Sequence, residues 1–285
     1  MQDNVEQDNN PDIQVRRRGI YLLPNLLTTG AMFGGFYAIL AAMNGRFEHA
    51  AIAIFVAMFF DGLDGQVARL TNTQSAFGVQ YDSLSDMVSF GVAPAVVAFS
   101  WMLHSLGKVG WAAAFIYASC AALRLARFNT QVNIVDKRFF VGLASPAAAA
   151  LVAGLVWNGY DTETSVITAS LVAIITACAG ILMVSNFRYK SLKGLNLKGK
   201  VPFMVILGVV MAVVVISSYP AEVLLLMAIT YALSAPVFWF ITRFYKKRNQ
   251  IDGGGRSKNQ REPFFGDETS EPPEGGGRDH GEEKL

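Results

Sequence analysis

Four aspartates, Asp61, Asp64, Asp82 and Asp86, stand inside otherwise apolar sequence, in the stretch DGLDGQVARLTNTQSAFGVQYDSLSDMVSFG over residues 61–91. Asp61 and Asp64 are three residues apart and Asp82 and Asp86 four, so on helices each pair shares one face. The first pair closes one long apolar segment and the second opens the next, with polar residues 71–75 between them. Two antiparallel helices joined in this way can bring four carboxylates to one focus. An aspartate well inside a membrane helix costs about 2.5–3.5 kcal/mol on insertion scales, and four facing lipid would cost on the order of 10 kcal/mol. Acids so placed need a polar cavity, a counter-charge or a metal, and Arg69 is the one cation within the stretch. Carboxylate oxygens without His or Cys suit a hard divalent cation, Mg²⁺ or Mn²⁺. Four carboxylates can hold two such ions, and a pair of ions suits phosphoryl chemistry because it clamps both the attacking and the leaving oxygen.

The surrounding residues fit a site of this kind. Gly65 and Ala68 lie on the same side of their helix as Asp61 and Asp64, and Gly78 lies one turn before Asp82. Small residues let another helix or a ligand approach the backbone. Arg69, about one turn beyond Gly65, can fork onto a phosphate.

The elements that must position these groups are membrane helices. Of 285 residues, 52% are hydrophobic and 16% charged, and the mean hydropathy is +0.34. Apolar segments long enough to cross a bilayer, about 20 residues each, are expected at about 22–43, 48–68, 78–102, 109–128, 140–159, 164–184, 201–218 and 221–242. The expected fold is therefore all-α, a polytopic membrane protein of about eight spans. With the N-terminus inside, the inner flanks carry 17 Lys and Arg, whereas the outer loops carry Arg46 and Lys108. That asymmetry predicts an even number of spans with both termini cytoplasmic, and it sets the aspartates at the cytoplasmic side. Arg16, Arg17 and Arg18, directly before the first span, read as a topology anchor with affinity for anionic headgroups.

Residues 1–15 are polar and 249–285 are rich in Gly, Glu, Pro and Arg, so both read as disordered tails around a membrane domain at 16–248. The sequence has no internal repeat and no second globular domain, and nothing in it points to nucleic acid. Cys120 and Cys178 are single thiols in apolar segments and predict no disulfide framework. His49, His104 and His280 have no metal-ligand spacing and read as loop or tail residues. Gly34 and Gly35 read as helix-packing residues, and Ser145 with Pro146 as a kink inside the fifth span.

Two classes of function remain open on these residues: an enzyme of phosphoryl chemistry, or an ion-coupled secondary transporter with intramembrane acids. The transporter reading leaves unexplained why Gly65, Ala68, Arg69 and Gly78 fall at fixed spacing, and why the acids sit near one membrane face instead of the midplane.

From Asp64 the chain spells D-G-x2-A-R-x8-G-x3-D-x3-D, with Asp64, Gly65, Ala68, Arg69, Gly78, Asp82 and Asp86 at every fixed position and Asp61 upstream. This resembles the signature of the CDP-alcohol phosphatidyltransferases, membrane enzymes that move a phosphatidyl group from a CDP-activated lipid to an alcohol and release CMP. The opening YLLPNLLTTGAMFGGFYAILAAMNGRFE, ALRLARFN at 122–129, FVGLASPAAA at 140–149 and KVPF at 200–203 resemble one bacterial branch of that family, whose acceptor is L-serine. The likeness covers most of residues 20–243 and departs at Ala144, where that branch often has proline.

The resemblance implies the reaction CDP-diacylglycerol + L-serine → phosphatidylserine + CMP, with two divalent cations, Mn²⁺ or Mg²⁺, as cofactors. It implies that Asp61 and Asp82 bridge both ions, that Asp64 completes one site and Asp86 the other, and that Asp86 is the general base. By the same resemblance Gly65, Arg69 and Ser75 contact the CDP-lipid, and residues 24–27 lie against the nucleotide, with Asn25 giving a polar contact. It further implies a homodimer in the bacterial cytoplasmic membrane with its active site facing the cytoplasm. Other acceptors, such as glycerol 3-phosphate, inositol phosphate or choline, fit the core motif equally. Charge complementarity, and not the family motif, nominates Arg124, Arg127 and the nearby Asn129 for serine: an amino-acid carboxylate needs a cation.

Overall fold

The computed structural model describes residues 11–73, 75–131, 139–190 and 203–253. The described chain is helical apart from one small ribbon. Helices α1 (Pro11–Met43) and α2 (Phe47–Leu70) form an antiparallel pair, and α3 (Ala76–Asp86) passes through a π-helical segment (Met87–Val92) into α4 (Ala93–Trp101). After a 3₁₀ turn (Leu103–Leu106) come α5 (Lys108–Gln131), strand β1 (Phe139–Val141), α6 (Ser145–Gly159), α7 (Val166–Val184), strand β2 (Arg188–Lys190), α8 (Phe203–Ser218) and α9 (Pro220–Gly253). β1 and β2 pair antiparallel, Phe140 opposite Tyr189, and tie the entry of α6 to the exit of α7.

Each expected span has its helix. Six segments among the described residues are long and apolar enough to cross a membrane: Leu22–Met43, Phe47–Leu70, Ala76–Trp101, Lys108–Thr130, Val166–Val184 and Pro220–Trp239. The chain is a multi-pass membrane protein. α6, at 15 residues or about 23 Å at 1.5 Å per residue, is shorter than a full span. α1 begins at Pro11. Residues 1–10 and 254–285 lie outside the described residues, as do most of KVPF and the loop before it. The chain divides into one compact unit up to Phe240 and a second from Ile241, of which the C-terminal part of α9 is the described portion.

One expectation is corrected. Ser145 and Pro146 do not kink a helix; they start one. Ala144 is extended (φ −63°, ψ 138°), and Pro146 occupies the first turn of α6. There its missing N–H costs nothing, because first-turn amides have no intrahelical acceptor.

Small residues let the first helices close on one another. A Cβ on Gly34 would stand 3.0 Å from the Ala57 Cβ and 3.1 Å from the Ala53 carbonyl oxygen. A Cβ on Gly35 would stand 2.6 Å from the Ser89 Cα, closer than any side chain tolerates. The two adjacent glycines therefore bring α1 against α2 on one side and against the π-helical segment on the other, as a packing role requires. Ala38, Ala41, Ala42, Ala50, Ala51 and Ala57 continue the seam, all buried. Hydroxyls then stitch α1 to the third span: Ser85 donates to the Thr28 carbonyl at 3.0 Å, Ser89 to the Ala31 carbonyl at 3.0 Å, and the Thr29 and Tyr81 hydroxyls share a bond at 2.8 Å.

The π-helical segment follows Asp86 directly, and Pro94 explains part of it. Pro94 has no N–H for the Phe90 carbonyl one helical turn back. The fully buried Tyr117 hydroxyl of α5 donates to that carbonyl instead, at 3.0 Å. Tyr117→Phe removes that buried hydrogen bond, whose net contribution is about 0.5–1.5 kcal/mol. We expect a lower melting temperature in detergent than wild type; an unchanged melting point would show the bond to be dispensable.

Candidate active site

The turn between α2 and α3 is short because each of its ends is closed locally. Thr71 N–H bonds the Val67 carbonyl, Thr73 N–H the Ala68 carbonyl, and Asn72 takes a positive φ of 53°. Ser75 caps α3 by accepting the Gly78 N–H at 3.0 Å. The chain thus reverses within a few residues, and the two carboxylate pairs come to face each other as their spacing predicts.

Oxygens of Asp61, Asp64 and Asp82 all lie within 4.8 Å of one another. Asp86 sits beside this triad, its carboxyl group close enough to interact directly with that of Asp61. Asp64 is 5% exposed, and its Oδ2 accepts a hydrogen bond from the Thr28 hydroxyl at 2.6 Å. Asp82 Oδ1 is buried with no hydrogen-bond partner among the described residues. A buried, unpartnered carboxylate oxygen is costly unless something else meets it. Three convergent oxygen donors, one of them without a protein partner, fit a hard divalent cation. Asp64 lies six residues, about 9 Å, from the end of α2, so the cluster is set toward one end of the bundle.

The residues expected to contact a CDP-lipid form two groups around the cluster. Asn25 of α1 meets Ser75 at Gly78, where an added Cβ would stand 3.1 Å from Ser75 Oγ and 3.5 Å from Asn25 Oδ1. Glycine keeps that corner open. The exposed Arg69 folds back over Gly65, its guanidinium nitrogens 3.9 and 4.0 Å from the Cβ position of that glycine.

The residues proposed for serine separate. Arg124, half-buried on α5, faces both Asp86 and Asp61 closely enough for direct electrostatic interaction, and donates to the Ser145 hydroxyl at the start of α6. Tyr117 and Tyr231 complete its electrostatic surroundings. Arg127 turns away to the end of α7, where it donates to the Val184 carbonyl at 3.4 Å and to Asn186 Oδ1 at 3.0 Å. Asn129 shares a reciprocal pair of hydrogen bonds with Ser83, at 3.1 and 3.2 Å, on the turn between Asp82 and Asp86. The structure therefore brings Arg124 and Asn129 to the aspartate helices and leaves Arg127 at a helix end.

Three contributors were not anticipated: Thr28, Ser83 and Tyr117. Nothing distinguished them, since hydroxyls in apolar helices commonly bond their own preceding turn. Thr28 illustrates this, lying 3.0 Å from the Pro24 carbonyl as well as 2.6 Å from Asp64.

Comparison with known proteins agrees with this geometry. Residues 21–184 match the family model described as CDP-alcohol phosphatidyltransferase. A CDP-diacylglycerol–serine O-phosphatidyltransferase of Helicobacter pylori is 38% identical over 198 residues, covering 67% of this chain and 82% of the relative. A protein of the same name from Mycobacterium leprae is 41% identical over 145 residues, 49% of this chain and 48% of the relative. An archaetidylserine synthase of Methanothermobacter thermautotrophicus is 33% identical over 176 residues, 61% of this chain and 72% of the relative.

Proposed function

The chain belongs to the CDP-alcohol phosphatidyltransferase family, and on that premise we propose that it transfers the phosphatidyl group of CDP-diacylglycerol to the hydroxyl of L-serine, giving phosphatidylserine and CMP. The observation that carries this reading is the convergence of Asp61, Asp64 and Asp82 with an unpartnered Asp82 oxygen, inside the fixed motif. The names of the relatives supply serine as the acceptor.

Asp61, Asp64 and Asp82 would hold a divalent cation. With Asp86 beside Asp61, the same four residues would hold a second, Asp61 and Asp82 being shared. When bound, the cations would offset the charge of the pyrophosphate and of the leaving CMP. The remaining work belongs to the chain. Arg69 forks onto a phosphate, with Gly65 leaving room for its guanidinium. Asn25 and Ser75, around the open corner at Gly78, orient the nucleotide end. Asp86 accepts the proton of the serine hydroxyl as its oxygen attacks the phosphorus that carries diacylglycerol. The new O–P bond forms, the P–O bond to CMP breaks, and CMP leaves with the electron pair. Positioning and charge stabilisation carry most of such a step.

For the acceptor we assign the serine carboxylate to Arg124, the arginine that faces the aspartates, with Asn129 alongside. Arg127 is assigned a structural part. In this reading all eight helical segments traverse a bacterial cytoplasmic membrane, with both termini and the aspartate end of the bundle at the cytoplasmic face. The distribution of Lys and Arg supports that orientation.

The test is CMP release by purified protein in detergent with CDP-diacylglycerol, Mn²⁺ or Mg²⁺, and serine, glycerol 3-phosphate, inositol phosphate or choline in turn. CMP and phosphatidylserine should form with serine, and chelation should abolish both. Release with a different alcohol alone would keep the site and overturn the acceptor. Folded protein that releases no CMP, and instead moves a solute across sealed vesicles, would overturn the enzyme reading.

A further inference from the structure

Thr28 joins three helices at one buried point. Its hydroxyl lies 2.6 Å from Asp64 Oδ2 and 3.0 Å from the Pro24 carbonyl, its own carbonyl accepts the Ser85 hydroxyl at 3.0 Å, and it is 4% exposed. A hydroxyl has one proton, and an ionised Asp64 is an acceptor only, so the shorter contact to the charged oxygen takes the proton. That bond holds one Asp64 oxygen and fixes the rotation of its carboxylate. Rotation about χ2 has a broad energy profile of its own, so contacts such as this one decide the carboxylate's orientation. The Ser85 bond acts on the other side of the same residue. Ser85 lies between Asp82 and Asp86 on α3, so Thr28 registers the helix of the first carboxylate pair against the helix of the second.

We infer that Thr28 is a positioning residue of the metal centre, holding Asp64 in the orientation that ligation requires. This rests on the metal-site reading above. Partners of ligating groups typically contribute tenfold to a hundredfold in metal affinity. Thr28 touches no substrate in this account; it acts through Asp64.

Full-length wild type, T28V and T28S in detergent would be titrated with Mn²⁺ alone, and free Mn²⁺ read by electron paramagnetic resonance. Valine keeps the volume and removes the hydroxyl; serine keeps the hydroxyl. We expect T28V to bind Mn²⁺ about tenfold more weakly and T28S to stay within about twofold of wild type. In turnover, the Mn²⁺ concentration for half-maximal rate should rise in T28V while the rate at saturating metal recovers, a split that general loosening of the fold does not produce. T28V binding as tightly as wild type would overturn the inference, and so would T28S binding as weakly as T28V. Should T28V melt well below wild type without metal, T28A, which adds no bulk, is read by the same criteria. Folded wild type that takes up no Mn²⁺ would instead sink the metal-site reading itself, an outcome separate from the failure of Thr28.

Discussion

Asp86→Asn protein will insert and fold, and will turn over roughly 10²–10⁴-fold more slowly than wild type, the usual contribution of a positioned general base. Asparagine has nearly the shape of aspartate, but it cannot accept the hydroxyl proton. The structure gives reason to separate Asp86 from its neighbours. The mutual 4.8 Å grouping of oxygens comprises Asp61, Asp64 and Asp82, with Asp86 attached at Asp61. Because Asp86 would also help hold the second cation, the comparison is made at saturating Mn²⁺, where loss of the base should fall on kcat. Single-turnover CMP release, beside a melting curve showing an intact fold, measures this. Turnover within a few-fold of wild type would remove Asp86 as the base.

The second large effect is expected at Arg124 and concerns choice of acceptor. If its guanidinium holds the serine carboxylate, Arg124→Ala forfeits a charge-assisted bond of about 1.5–3 kcal/mol, or roughly tenfold to a hundredfold in kcat/KM for serine. Arg124 also faces Asp86 and Asp61 and bonds Ser145, so its loss will slow the reaction for other reasons too. The discriminating quantity is a ratio. Serinol has the hydroxyl and the ammonium of serine but no carboxylate, so purely structural damage lowers kcat/KM for serine and serinol alike. Carboxylate recognition predicts that serine falls and serinol does not fall with it. Arg127→Ala, which cuts contacts to Val184 and Asn186, is expected to leave that ratio where it stands. An unchanged ratio in the Arg124 variant would return serine selection to other residues.

Carboxylate spacing and apolar length were enough to anticipate the cluster and the helices that carry it. Asp61, Asp64, Asp82 and Asp86 are local in sequence, and 3.6 residues per turn decides which side they share. The fold of Arg69 over Gly65 and the approach of Ser75 to Gly78 are short-range too, whereas Asn25 reaches the Gly78 corner from 53 residues away. The divergence of Arg124 and Arg127 was not legible. Residues three apart project from neighbouring parts of one helix surface, and only their partners on α6 and α7 decide where such long side chains go. The π-helical segment was hidden likewise, since its Phe90 carbonyl depends on a tyrosine 27 residues away. At Ser145 and Pro146, composition alone could not tell a proline within a helix from one that opens it; the extended backbone at Ala144 decides it.

The compact placement of the acids has a consequence for biogenesis. Translation delivers the whole carboxylate set by Asp86, whereas Arg124 follows 38 residues later. At about 5–20 residues per second, that is a delay of roughly 2–8 s. Over that interval the nascent hairpin of α2 and α3 must be accommodated without the arginine that later faces it, and beyond Arg69 the charge is left to protons or ions from the surrounding solution. The same group that equips the mature protein for its reaction is, for those seconds, an obstacle to its own membrane insertion.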